Sequence, residues 1–251
     1  MNLIKYSVFA CISLVCSMAL AAEWKNPDQP KTSVGQNPAR SQPAPQPAPR
    51  VPPATSKSSE VLTGVMGVEA NWFCDLEQGY NDKGSGGAQD VRFFQPVLPP
   101  GYSMLGGYAQ GNHDSPSGCV LAVRPRNDAS NALLQPAVNW QQIWTDKNSG
   151  SNMDGSIWHP QAASPDYVCL GSVATQGYNR PNLPNYTCVH KCLVEEVPVA
   201  GYIWSDAGTG ASQNVAVYEL HNSNSFYAIP SYNPPRTLLD IRRNTVCRFD
   251  K

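Results

Sequence analysis

The sequence predicts an all-β domain made of three pseudo-symmetric antiparallel units wrapped around a common axis. Three observations predict it. One pattern of 15 residues recurs three times in register. After each copy, apolar and polar residues alternate with a period of two, as on a half-buried strand. No stretch shows the 3.6-residue periodicity of an amphipathic helix, and turn signals separate many short strand-like runs.

Taken in chain order, the first element is an export signal. Lys5 supplies the charged start, Val8 to Val15 the apolar stretch, and Ala19-Leu20-Ala21 a small-x-small cleavage site, giving a signal over 1–21. The apolar stretch is too short for a membrane span, and no later segment reads as one. Cys16 raises the question of a lipoprotein, but bulky Val15 stands where a small residue is wanted. Residues 22–59 form a linker. Nine of the 23 prolines lie between Pro27 and Pro53, and Ser41-Gln42-Pro43-Ala44-Pro45-Gln46-Pro47-Ala48-Pro49 has no apolar periodicity. Such composition gives an extended, semi-rigid polyproline spacer. Its basic residues, Lys25, Lys31, Arg40, Arg50 and Lys57, suit a solvated tether or contact with an anionic surface.

Residues 60–251 have the size of one ordinary domain. They hold 12 Lys and Arg against 17 Asp and Glu, so nucleic acid, which wants a basic face, is not an expected partner. Cys11 and Cys16 leave with the signal. Cys74, Cys119, Cys169, Cys188, Cys192 and Cys247 remain, and an even number in an exported domain reads as three disulfides. Six cysteines allow about 15 connectivities, and spacing does not choose among them.

The repeat reads aromatic-x-Asp-x-x-Ser/Thr-Gly-x-x-x-Asp/Asn-x-x-apolar-aromatic. It runs over Tyr80, Asp82, Ser85, Gly86, Asp90, Phe93 and Phe94. It recurs over Trp144, Asp146, Ser149, Gly150, Asp154, Ile157 and Trp158, and over Trp204, Asp206, Thr209, Gly210, Asn214, Val217 and Tyr218. Copies are spaced by 64 and 60 residues, longer than most solenoid units. Each copy is expected to be a strand entering a tight turn whose glycines take positive φ, then a second strand. Val91 and Phe93, Gly155 and Ile157, Val215 and Val217 share one face. The following aromatic faces the other way or begins a bulge. Downstream, Gly101-Tyr102-Ser103-Met104-Leu105-Gly106 matches Asp166-Tyr167-Val168-Cys169-Leu170-Gly171. The third copy offers only Phe226-Tyr227-Ala228-Ile229.

Asp-Lys-Gly-Ser-Gly followed by Asp-Val and an aromatic, then Gly-Tyr-x-x-Leu-Gly, resembles the vacuolar protein sorting-associated protein 62 family. The second copy is the most similar, through Trp144, Asp146, Lys147, Ser149, Gly150, Asp154-Gly155-Ser156, Trp158, Pro160, Tyr167, Leu170-Gly171, Gly177-Tyr178, Pro181 and Cys188-Val189. The resemblance covers roughly residues 70 to 250. Departures are Tyr80 for Trp, Asn214 for Asp, and no Leu-Gly in the third copy. It implies a β-prism-like fold with threefold internal symmetry, of a kind found in lectins and in membrane-targeting modules of perforin-like proteins. It implies no catalytic residues.

Several chemistries compete for the repeated turn. Asp82, Asp146 and Asp206 suit backbone capping, as short Asx motifs do. The same carboxylates with Ser85, Gly86, Asp90, Ser149, Gly150 and Asp154, and with Trp144 and Trp158 as stacking faces, suit sugar hydroxyls or a lipid headgroup. Calcium is a weaker reading of Asp82, Ser85 and Asp90, since EF-hand spacing is absent; no other cofactor is expected. Cys188-Val189-His190-Lys191-Cys192 reads as one strand with both thiols and the imidazole on one face, and disulfides are a better use of those thiols than zinc. Gly-x-Ser-x-Gly, His-Glu-x-x-His and phosphate-loop motifs are absent, and Glu195 and Glu196 point to opposite faces, so catalysis is not expected. The expected protein is a secreted or periplasmic, non-catalytic recognition module for a surface glycan or lipid headgroup. The alternatives are a membrane-engaging, toxin-like module, for which Tyr102, Met104 and Tyr167 are candidate tips, and a structural envelope protein.

Overall fold

A computed structural model describes residues 64–126 and 132–249. The signal and linker readings lie outside the described residues. The described chain is all-β apart from one short 3-10 turn, Lys191–Leu193. The first unit contains β1 (Gly64–Phe73), β2 (Leu76–Asn81), β3 (Arg92–Pro96), β4 (Ser103–Met104), β5 (Tyr108–Gln110) and β6 (Val120–Pro125). The second contains β7 (Leu134–Pro136), β8 (Asn139–Thr145), β9 (Gly155–Gln161), β10 (Tyr167–Val168), β11 (Val173–Gln176) and β12 (Thr187–His190). The third contains β13 (Val194–Pro198), β14 (Ala200–Ser205), β15 (Ala216–Glu219), β16 (Phe226–Ile229) and β17 (Thr237–Ile241); β18 (Val246–Phe249) follows.

Every unit has the same plan. Its first bulged strand, the strand after the Asp turn and one more strand form a three-stranded antiparallel sheet: β2-β3-β5, β8-β9-β11 and β14-β15-β16. The strands just outside pair with each other, as β1 with β6, β7 with β12 and β13 with β17. Each repeat therefore begins before its aromatic-x-Asp motif, on an outer strand whose length varies from three residues in β7 to ten in β1, so no shared pattern marks it in the sequence. β18 pairs with β1, joining the end of the domain to its start. Among the described residues, no sheet closes into a barrel.

The alternation after each turn is the core pattern it promised. Val91, Phe93, Ile157, Val215 and Val217 are buried in one cluster with Tyr80, Trp144 and Trp204. Trp144 packs edge-on against Trp204 with centroids 5.6 Å apart, and Tyr80 lies 5.9 Å from Trp144. Burying each such side chain is worth about 1.5–3 kcal/mol. The next aromatics do face the other way. Phe94, Trp158 and Tyr218 enter three separate clusters under the outer strands, so the inner sheets are covered on both faces. Bulges fall in the preceding strand, at Gln78/Tyr80, Gln142/Trp144 and Tyr202/Trp204. The extra residue there turns the aromatic ring into the centre.

The units contact one another cyclically. The Gly107 N–H donates to the Ser172 carbonyl (2.9 Å), Ser172 N–H to the Phe226 carbonyl (2.8 Å), and Phe226 N–H to the Gly107 carbonyl (2.9 Å). Backbones meet so closely that a Cβ on Gly106 would stand 2.7 Å from Gly171 Cα and 2.9 Å from Ser225 Cβ. Ser225 thus fills the place of the two Leu-Gly glycines. Phe226-Tyr227-Ala228-Ile229 corresponds to β5 and β11, with Ala109, Ala174 and Ala228 at one register position. The third unit lacks only the counterpart of β4 and β10.

The six cysteines form Cys74–Cys119, Cys169–Cys188 and Cys192–Cys247. The strand expected through Cys192 stops at His190, where the chain enters the 3-10 turn. Cys188 and Cys192 consequently reach different partners. The cluster of His190, Cys192 and Cys247 offers no thiolate, because both sulfurs are bonded to each other. Among the described residues no helix is long and apolar enough to cross a membrane.

Candidate functional site

The three Asp turns converge at one end of the domain. Each is built identically. The Asp backbone N–H donates to the carbonyl nine residues on, and its Oδ1 accepts from that residue's N–H: Val91 (2.9 Å), Gly155 (3.0 Å) and Val215 (2.9 Å). The Asp carbonyl accepts from Ser85, Ser149 or Thr209 N–H, and those hydroxyls accept from Gly87, Ser151 and Ala211 N–H. Positive φ occurs at Gly84, Asn148 and Gly208 (91°, 71°, 84°) and again at Gly86, Gly150 and Gly210 (69°, 76°, 80°). A residue with a Cβ pays for that conformation, so glycine dominates, with one Asn, the residue that tolerates it best.

The turns interlock across units. Trp204 Nε1–H donates to Asp82 Oδ2 (3.1 Å), and Trp144 Nε1–H to Asp206 Oδ2 (2.8 Å). Tyr80 stands in the corresponding place beside Asp146. Its ring lies where the second unit has Gly155, and a Cβ there would come within 2.0 Å of it. Asn152 N–H donates to the Lys83 carbonyl (2.7 Å) and Ser212 N–H to the Lys147 carbonyl (3.1 Å). Gly87 abuts Thr209, and the Tyr202 hydroxyl donates to Gln89 Oε1, which brings the first and third turns together.

A third group closes each turn, and it was missed in the sequence. His113 Nε2 lies 2.7 Å from Asp82 Oδ1, and the Tyr232 hydroxyl donates to Asp206 Oδ1 at 2.9 Å. Tyr178 stands beside the Asp146 and Asp154 carboxylates. Desolvation and then the Asp206 carboxylate push the Tyr232 phenol up to about 12. Desolvation, with both carboxylates, pushes Tyr178 higher still. One cap is His and two are Tyr, and they follow their Asp by 31, 32 and 26 residues, so no single motif displays them.

These contacts sort the expected site residues. Asp82, Asp146 and Asp206 are buried, as is Ser149, and their oxygens serve fixed donors. Trp144 and Trp158 are buried too, so both faces of each ring are taken by protein. Gly86, Gly150, Asp90 and Asp154 are exposed on the crown and Ser85 is half-buried, with Asn214 exposed at the third equivalent position. Lys83 is exposed beside them, while the Lys147 ammonium sits over the Tyr178 ring, 4.6 Å from its centroid. Asp82, Asp90 and His113 form a cluster of metal-ligating type. One imidazole nitrogen and Asp82 Oδ1 already serve each other, and Asp90 lies 3.7 Å from the other nitrogen. Of the candidate membrane tips, Met104 and Tyr102 are buried and Tyr167 is half-buried. The large apolar side chains exposed among the described residues are Trp72, Val97, Tyr202, Tyr232 and Leu239.

Residues 42–227 match the family described as vacuolar protein sorting-associated protein 62. The chain belongs to that family. No curated protein matches it. Among solved structures, the crystal structure of GNIP1Aa from Chromobacterium piscinae is similar, with 31% identity and a TM-score of 0.59. The likeness covers 67% of this chain and 34% of that one. This chain spans about a third of that protein's length, so whatever the whole of that protein does stays with it. Within the vacuolar protein sorting-associated protein 62 family, the matched region of this chain contains all three Asp turns and the ring residues Gly107, Ser172 and Phe226.

Proposed function

We propose that this chain is an exported, non-catalytic recognition module of β-prism-like architecture, and that its crown of three Asp turns binds a surface glycan or lipid headgroup. One observation carries the reading. Asp90, Asp154 and Asn214 stand exposed at the same position of three interlocked turns, above carboxylates committed to holding those turns rigid. Exposed acidic and amide groups on a fixed frame suit pairs of sugar hydroxyls, and Lys83 beside them suits a headgroup phosphate. Weak sites repeated around one axis gain avidity when a surface offers repeated ligands. Three disulfides favour an oxidising compartment. A likeness covering a third of a longer protein supports the reading as a module. The non-catalytic part rests on the buried Asp oxygens, which are occupied by backbone, indole and phenol donors and are not free to move protons on a substrate.

Membrane engagement is the second reading, favoured by Tyr202 and Tyr232, which are exposed beside the third turn. Amphipathic aromatics of this kind settle at a membrane interface. The test is a glycan array and liposome flotation, each with and without calcium. Asp90→Ala with Asp154→Ala should abolish retention on the bound sugar or headgroup while leaving the melting temperature within a few degrees. Undiminished retention by that double variant removes the crown as the binding face. Flotation lost only on changing Tyr202 and Tyr232 selects the membrane reading.

A further inference from the structure

A cleft lies away from the crown, where the end of the domain meets its start. Its volume is about 530 Å³, within the range of small-ligand sites. The first unit supplies Trp72 of β1 and Arg126 after β6. The third supplies His221 from the turn after β15, and Arg242 and Arg243 from the turn between β17 and β18. Three arginines thus line one concavity in a domain whose net charge is negative.

Nearby carboxylates do not neutralise them. Glu69, on the cleft wall, is held by both arms of Arg124 (2.8–3.0 Å) and by the Tyr102 hydroxyl (2.6 Å). Those bonds hold its carboxyl below the ordinary range. Asp240 is buried, with its oxygens on the Asn222, Ser223 and Ile241 N–H groups. Glu195 accepts from the Asn222 amide. Among the described residues, Arg126, Arg242 and Arg243 have no carboxylate within ion-pair distance. Two of them are nonetheless oriented. Arg242 Nε donates to the Val194 carbonyl (2.8 Å), and Arg243 Nε to Asn222 Oδ1 (3.3 Å). Each keeps its two terminal nitrogens for a ligand. Trp72, on the same wall, is 55% exposed and offers a free indole face.

Oriented guanidinium forks match the oxygens of a phosphoryl or sulfuryl group, and an exposed indole matches the ring carrying it. We infer that this cleft binds a phosphate or sulfate monoester carried on a sugar ring, with Arg126, Arg242 and Arg243 on the anion and Trp72 on the ring. The site is independent of the crown. A soluble phosphosugar and a sugar-phosphate lipid headgroup share this chemistry.

The test uses the full exported chain. Glucose 6-phosphate, glucose 6-sulfate and glucose are titrated at low salt, following Trp fluorescence and heat. In parallel, vesicles of phosphatidylcholine with and without phosphatidylinositol 4-phosphate are floated. We expect saturable binding of an anionic sugar or of the phosphoinositide vesicles, not of glucose or plain phosphatidylcholine, weakening as salt rises. Arg126→Gln with Arg243→Gln should weaken it roughly tenfold or more, as loss of charge-assisted bonds does, and Trp72→Ala should remove the fluorescence change. Arg242 is left in place because its Nε supports β13. Phosphosugar binding assigns a soluble source, and binding of vesicles alone assigns a lipid one. No binding of any anionic probe, or equal binding by a folded Arg126→Gln/Arg243→Gln variant, overturns the inference. Asp90→Ala/Asp154→Ala should bind these probes as the parent does, which separates this site's failure from the crown's.

Discussion

Asp206 receives three hydrogen bonds on two oxygens, from Val215 N–H, the Tyr232 hydroxyl and the Trp144 indole. Truncating it strands the buried Val215 N–H, at a cost of about 1–3 kcal/mol, while the Trp144 indole keeps the Gln213 carbonyl (3.0 Å) and the Tyr232 hydroxyl can turn to solvent. Asp206→Ala should therefore destabilise by about 1–3 kcal/mol, lowering the melting temperature by roughly 2–12 °C in a domain of this size. Asp206→Asn should also destabilise, because its amide presents a donor where Trp144 or Tyr232 already donates. Calorimetry on both variants checks this; unchanged melting would remove the turn's role as the frame of the crown. Gly155 makes a second case. A methyl group there meets the Tyr80 ring, and overpacking of this kind costs about 1–3 kcal/mol. In a Tyr80→Leu background the same Gly155→Ala change should cost less, and a double-mutant cycle in urea measures the difference.

His159 of β9 shows how two inner sheets are tied. Its Nε2–H donates to the Ala228 carbonyl of β16 (2.8 Å), which fixes Nδ1 as the acceptor of the Ser172 hydroxyl (3.0 Å); Ser172 in turn accepts from Ala228 N–H. The Tyr227 ring covers the imidazole, 4.4 Å away. Burial pushes the imidazole down to about 4 from an ordinary 6.5. The unfolded chain therefore takes up a proton below about pH 6.5 that the folded chain refuses until about pH 4. Stability falls between those values, by on the order of 3 kcal/mol in total. Urea midpoints at pH 7 and pH 4.5 should differ more for the parent than for His159→Gln; equal differences would show that other groups set the acid limb. The inner strands were legible because aromatic, Asp and glycine recur there at fixed spacing, each demanded by the turn. The outer strands were not. β1 has ten residues, β7 three and β13 five, and their apolar side chains answer to different neighbours in each unit. The crown caps were hidden for a related reason. His113 follows its Asp by 31 residues and Tyr232 by 26, so only folding brings the equivalent groups to equivalent places.

On the scale of the whole molecule, the ring of hydrogen bonds through Gly107, Ser172 and Phe226 makes each unit a partner of both others. What holds such a ring shut is the junction between its two ends. β18 pairs with β1 through Met66 and Cys247, and Cys247 is bonded to Cys192 at the start of the third unit. That bridge spans 55 residues, against 45 for Cys74–Cys119 and 19 for Cys169–Cys188. In the chain-entropy account, stabilisation grows with the closed loop, to about 4 kcal/mol for the longest bridge and about 3 for the shortest. Replacing Cys192 and Cys247 together by Ala should lower the melting temperature more than replacing Cys169 and Cys188. It should also expose β18 to proteolysis before the inner sheets. The turn carrying Arg242 and Arg243 lies between β17 and β18, so freeing β18 loosens one wall of the arginine cleft. The crown, whose Asp turns bond neither β18 nor Cys192, should keep the binding proposed for it. Equal melting of the two cysteine variants, or loss of crown binding before loss of the anion site, would mean that the ring is held by its axis and not by its ends.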